Sequence, residues 1–175
     1  MVAAAREQAA GLSQISFQQG DATATGLPTA SKNVIFERAL IHHLKDYKAC
    51  FAEAHRVLVP GGSLIVQDRT PDDVQLPGSP EHVRGYFFER FPRLLTVEQA
   101  AGFRDINSVT LWELRKTHDD WQGLKQDLAS RTGRSILHDL SDEELGELIV
   151  FIEKQLPSDG PIVEKDRWTV WSAVA

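Results

Sequence analysis

The chain has 175 residues, 42% of them apolar and 25% charged, with a formal net charge of −6. That composition is ordinary for a globular protein, and one core of this size buries about 70% of the unfolded surface, so disorder is not expected. The acidic balance repels a phosphate backbone, no stretch nears the ~18 apolar residues of a membrane span, and a lone Cys50 permits neither an intrachain disulfide nor a paired-thiolate zinc site. No nucleic acid and no membrane partner is expected, and a cytoplasmic location is.

Val2 to Ala10 consists of strong helix formers and runs into Gly11, where a left-handed cap closes a helix. Ile15 and Phe17 predict a short strand that turns at Gly20-Asp21-Ala22, and Thr23 to Lys32 reads as loop. Val34-Ile35-Phe36 begins a second strand, continuously apolar as in sheets with helices on both faces, and is expected at the sheet's centre. Asp46 is a good N-cap for a helix with Tyr47, Cys50, Phe51, Ala54, Val57 and Leu58 on one side, stopped by Pro60-Gly61-Gly62. Ser63 to Asp68 is a third strand, which makes a right-handed βαβ unit.

Farther on, Ser79-Pro80-Glu81 predicts a helix start, continued by Val83, Tyr86, Phe87, Arg90 and Phe91. Thr96 to Ala101 suits a short helix closed by Gly102, and Phe103 to Leu114 a long strand. Asp119 to Ser130 and Asp142 to Leu156 read as helices, the second opened by a Ser141/Glu144 capping box. Arg167 to Val174 is a terminal strand.

Four motifs resemble one family. They are Gly20-Asp21-Ala22 after a strand, Leu27-Pro28, Arg38-Ala39-Leu40-Ile41-His42-His43-Leu44 at a strand end, and Arg56-Val57-Leu58-Val59-Pro60-Gly61-Gly62-Ser63-Leu64 before the next strand. In order and spacing they are similar to class I S-adenosylmethionine-dependent methyltransferases, the small-molecule group that includes ubiquinone and menaquinone biosynthesis enzymes. The likeness is tight over residues 1–70 and extends loosely through Ala100-Ala101-Gly102-Phe103. It implies an α/β, Rossmann-like sheet lacking its first two strands, mostly parallel with an antiparallel C-terminal strand. It also implies one domain over 1–175, with a cofactor-side βαβ portion at 1–70, a helical substrate side at 79–166 and a terminal strand at 167–175.

The resemblance implies S-adenosylmethionine as cofactor and a small-molecule methyl acceptor. Asp21 would accept from the adenine amino group and the Ala22 N–H would donate to a ring nitrogen, a pairing suited to a carboxylate that only accepts and an amide that only donates. The backbone of Arg38 and Ala39 would face the cofactor's methionine end, and Tyr86, Phe87 and Phe88 would sit in a lid over the acceptor. Adjacent histidines point in different directions, so His42-His43 predicts no metal site, and the resemblance makes His43 a candidate general base.

The departure from the pattern lies at the start. Complete family members open with a strand, a Gly-rich turn and a helix that receives the methionine end, then a strand whose acid holds the ribose. This sequence has neither, so an N-terminally truncated enzyme is expected, its cofactor binding weakened on the order of a thousandfold. An exposed sheet edge follows, with the Ile15 strand sliding in beside Val34 or a homodimer forming through the edge. A non-catalytic scaffold that dimerises or completes a partner is the alternative. A nicotinamide-dependent oxidoreductase needs a Gly-x-Gly-x-x-Gly turn, which is missing.

Overall fold

Helices begin where side chains can replace missing backbone partners. The computed structural model, which describes residues 2–70, 102–132, 134–156 and 160–175, opens with α1 over Val2–Gln8, and Gly11 follows at φ 96°. Asp46 accepts from the Ala49 N–H and starts α2, Tyr47–Val57. Asp120 accepts from the Gly123 N–H ahead of α3, Trp121–Ala129. Ser141 and Glu144 form the expected capping box of α4, Asp142–Glu153. The helix expected from Ser79, the aromatics Tyr86, Phe87 and Phe88, and the short helix at 96–101 lie outside the described residues.

Four strands form one mixed sheet: β1 Lys32–Arg38, β2 Leu58–Asp68, β3 Arg104–His118 and β4 Ile162–Val174, in the order β1-β2-β4-β3. β1 and β2 are parallel, and β4 is antiparallel to both β2 and β3, so three strands share one direction and only the C-terminal strand is reversed. This is the expected sheet. Two local expectations fail. Val34 lies on an edge strand and not at the centre, because β1 pairs with β2 alone among the described residues. Ile15 and Phe17 form no strand, because no ladder partner lies beside them; residues 12–31 contribute only an isolated bridge between Asp21 and Ala24.

Gly62 is fixed by the close approach of the β1 backbone to the start of β2. A Cβ there would stand 2.9 Å from the Val59 oxygen and 3.1 Å from the Asn33 oxygen, both backbone atoms that cannot give way. On the helix-covered face of the sheet, Leu64 and Val66 of β2 meet Trp171 and Ala173 of β4 and Cys50, Phe51 and Ala54 of α2. Leu124 and Leu128 of α3 and Leu145, Leu148, Ile149 and Ile152 of α4 continue the same core. No helix among the described residues is long and apolar enough to cross a membrane.

Candidate active site at the carboxyl ends of the parallel strands

The βαβ unit brings the carboxyl ends of β1 and β2 side by side, with Arg38 opposite Gln67. Beyond Arg38 the chain turns sharply. Ala39 adopts φ 51°, a left-handed conformation that costs a residue with a Cβ about 1–2 kcal/mol. Its N–H donates to the Gln67 carbonyl at 2.9 Å, which holds the bend against the end of β2. The next residues, Ile41–His43, coil into one 3-10 turn with Ile41 buried in the core.

That turn delivers His42 to Asp68, the last residue of β2. His42 Nδ1 lies 2.6 Å from Asp68 Oδ1, and both side chains are almost wholly buried. The His42 and Arg69 backbone N–H groups also donate to the carboxylate, at 3.3 and 2.8 Å. A fully buried carboxylate is tolerable only with such donors around it. The short contact from Nδ1 to the carboxylate fixes the orientation of the His42 ring. His43, the histidine expected to act as base, is exposed, its ring tilted 45° to that of His42 with centroids 4.0 Å apart.

A second buried acid, Glu37, precedes the bend. Burial pushes its carboxyl up to about 7, aided by the neighbouring Asp68 charge and opposed by the Cys50 thiol, which donates to Oε1 at 3.5 Å. Its other oxygen, Oε2, is buried without a hydrogen-bond partner. Burial, followed by the Glu37 charge, lifts the Cys50 thiol to about 12, and the charge of Asp21 also reaches it.

Asp21 is exposed. The Thr23 N–H and hydroxyl donate to its Oδ1 at 2.8 and 2.7 Å, the backbone bond first among the causes that hold the carboxyl below its usual range. Ala22 packs against the core. Arg38 turns to the opposite face of the sheet from Glu37, where it pairs with Glu113 at 3.1 Å and lies 5.4 Å from the Trp168 ring centre. The structure therefore joins Ala39 to the strand ends and sends the Arg38 side chain elsewhere.

Asp68, Glu37 and the pairing role of His42 were not legible as site features in the sequence. The usable signal was topological: adjacent parallel strands put an acid ending one strand beside the turn that follows the other. A third cluster, His118, Asp127 and Glu164, holds ligand-type atoms within 4.8 Å of one another. Its carboxylates already face Lys116 at 2.7 Å, Arg115 at 3.4 Å and Arg134, so a dication there would meet like charge.

Residues 1–66 match the methyltransferase domain family model. The chain is 28% identical over 156 residues to phosphoethanolamine N-methyltransferase 1 of Arabidopsis thaliana, covering 85% of this chain and 30% of that protein. It is 28% identical over 130 residues to the uncharacterised methyltransferase YcgJ of Bacillus subtilis, covering 69% of this chain and 50% of that one. The chain thus spans about a third to a half of these relatives' lengths. Among solved structures, Haemonchus contortus phosphoethanolamine N-methyltransferase 2, in complex with phosphomonomethylethanolamine and S-adenosylhomocysteine, superposes with a TM-score of 0.56 at 21% identity, covering 99% of this chain and 41% of that one. Residues 1–66 thus match the methyltransferase domain family model, and the chain shares its fold with solved methyltransferase structures.

Proposed function

We propose that the protein takes part in S-adenosylmethionine-dependent methyl transfer to a small molecule. The observation that carries this reading is the buried His42–Asp68 pair at the carboxyl ends of β1 and β2, close to the segment that matches the methyltransferase family. The cofactor would supply a methyl group already activated by its positive sulfur, leaving the protein to bind, orient and exclude water. Asp21 fits the adenine end, since its carboxylate is exposed and held ionised, and the Ala22 N–H follows it. The backbone of Arg38 and Ala39 is assigned to the methionine end.

His42 is assigned the base that takes a proton from the acceptor's nucleophile at Nε2, with Asp68 orienting the ring. General-base catalysis of this kind contributes roughly 10²–10⁴-fold. Titration calorimetry with S-adenosylhomocysteine tests binding, and release of S-adenosylhomocysteine from S-adenosylmethionine with amine and hydroxyl acceptors tests transfer. Asp68→Asn should lower transfer by about a hundredfold or more while leaving S-adenosylhomocysteine affinity within a few-fold. Absence of binding heat at millimolar ligand sinks the reading and favours the scaffold alternative.

A homodimer through the β1 edge is proposed on a separate observation: Val34 and Phe36 are 56% and 57% exposed on an edge strand that pairs on one side only among the described residues. Light scattering should give twice the chain mass, falling to one chain mass for Phe36→Lys. A monomeric wild type refutes it.

A further inference from the structure

Strands send alternate side chains to the two faces of a sheet, and residues opposite each other in a ladder share a face. Ile35 and Glu37 lie with Leu64, Val66 and Trp171 on the face that α2 covers. Val34, Phe36 and Arg38 therefore point to the other. The register carries this second face across the whole sheet. Phe36 stands opposite Ile65 and Ile65 opposite Ser172, while Arg38, Gln67, Val170 and Val109 form the next row. Leu111 opposite Trp168 adds a further row on β3 and β4.

The second face is apolar and open. Val34, Phe36 and Val109 are more than half exposed, Leu111 is 37% exposed, and Ile65 and Val170 are half-buried. Adding a strand at the β1 edge would pair backbone groups but leave these side chains in water, because they stand roughly perpendicular to the sheet. Only a layer laid over the face buries them.

Size and charge point to a second copy as that layer. Four strands ~4.8 Å apart, with a rise of ~3.4 Å per residue, give an apolar area of about 400 Å² in projection. A rim of Gln67, Asn107, Arg38 and Glu113 surrounds it. An apolar centre of that area with a polar rim matches the anatomy of a standard interface, which covers ~800 Å² per partner. The chain carries a net charge of −6, so two copies repel except where their surfaces are neutral. This face is neutral in its middle: among the described residues Arg38 pairs with Glu113 at 3.1 Å and Arg69 with Asp166 at 2.8 Å. Arg38 and Glu113 stay about half exposed, so a two-fold axis lets each also meet its opposite on the second copy.

We propose that two copies of the chain pack face to face across this surface, burying Val34, Phe36, Val109 and Leu111 of each. The inference rests on the homodimer proposed above, whose contact it extends from the β1 edge to β3, and does not rest on methyl transfer.

Sedimentation equilibrium of the full chain, combined with methyl NMR of valine-labelled protein in a soluble gadolinium chelate, tests it. The chelate broadens methyls that are open to water. The expected result is twice the chain mass, with the methyls of Val34, Val109 and Val170 protected. Val109→Lys lies on β3, at the opposite side of the sheet from the β1 edge. It should raise the dimer dissociation constant roughly a hundredfold or more, since the two-fold buries the added charge twice, and should open Val34 and Val170 to the chelate. The wild-type protection pattern reads the same contact without any variant. Twice the chain mass with broadened Val109 and Val170 methyls removes the face contact and leaves the edge dimer, as does a folded Val109→Lys dimer of unchanged affinity. A monomer removes both, whether its face is open to the chelate or shielded by another part of the chain.

Discussion

At the scale of single residues, Glu37 couples the site to pH. Its carboxyl ordinarily titrates near 4.5 and is raised by burial to about 7 in the folded chain. Between those values the folded state holds a proton that the unfolded state has lost, so stability falls as pH rises from about 4.5 to 7 and is flat above. The full effect is about 3 kcal/mol. Glu37→Gln should flatten the fall, seen as denaturation midpoints that change less between pH 5 and pH 8 than in the wild type; an unchanged slope would assign it to other groups. Gly102 makes a separate test. It sits at φ 99°, and a Cβ there would lie 2.8 Å from His55 Nε2, the same ring that bonds the Gly102 carbonyl at 3.2 Å. Gly102→Ala should cost about 1–2 kcal/mol by urea unfolding. Because the clash is with a side-chain end, adding His55→Ala should relieve the steric part and leave the backbone part.

At the scale of elements, one helix holds the family-like loop. Glu53 of α2 accepts from the Thr25 N–H and hydroxyl at 2.9 and 2.6 Å and from Arg56 Nη2 at 2.7 Å. Arg56 donates onward to the Leu27 carbonyl at 2.7 Å and to Thr29 Oγ1 at 2.9 Å. Hydrogen bonds from Arg56, then from Thr25, draw the Glu53 carboxyl down to about 2. Glu53→Ala should speed hydrogen exchange at the Thr25 and Leu27 amides and leave exchange at Phe51 and Ala54 near wild type; uniform speeding would mean that α2 itself had loosened. Elements with a local signature were legible in the sequence. Asp46 and the Ser141/Glu144 pair marked helix starts, and the apolar runs in β1, β2 and β4 marked strands. What was illegible depended on neighbours. The Ile15 segment has strand composition but forms no ladder, and β1 looked central because an apolar run cannot report that only one of its sides is paired among the described residues.

At the scale of the whole molecule, the core is continuous from α2 through β2 and β4 to α4, and Trp171 stands at its middle. It is buried, and its backbone pairs with Val66 on one side and Ser108 on the other. Trp171→Ala should cost about 3–5 kcal/mol, measured by urea unfolding, because the cavity opens between sheet and helices at once. A loss below 1 kcal/mol would show that the core divides into independent halves. The candidate site was half legible at this scale. Ala39 was found as part of a motif, whereas Asp68 became visible only when the fold laid the end of β2 against the turn after β1.

The sheet order β1-β2-β4-β3 also dictates a schedule of assembly. The strand nearest the C-terminus is the one wedged between β2 and β3. On a ribosome, a growing polypeptide can close the Lys32–Asp68 unit early, but β3, whose ladder partner among the described residues is β4, waits for residues 162–174 to emerge. Until then Val109 and Leu111 wait without their neighbours, so synthesis stalled short of β4 leaves a species with an open seam and a tendency to aggregate.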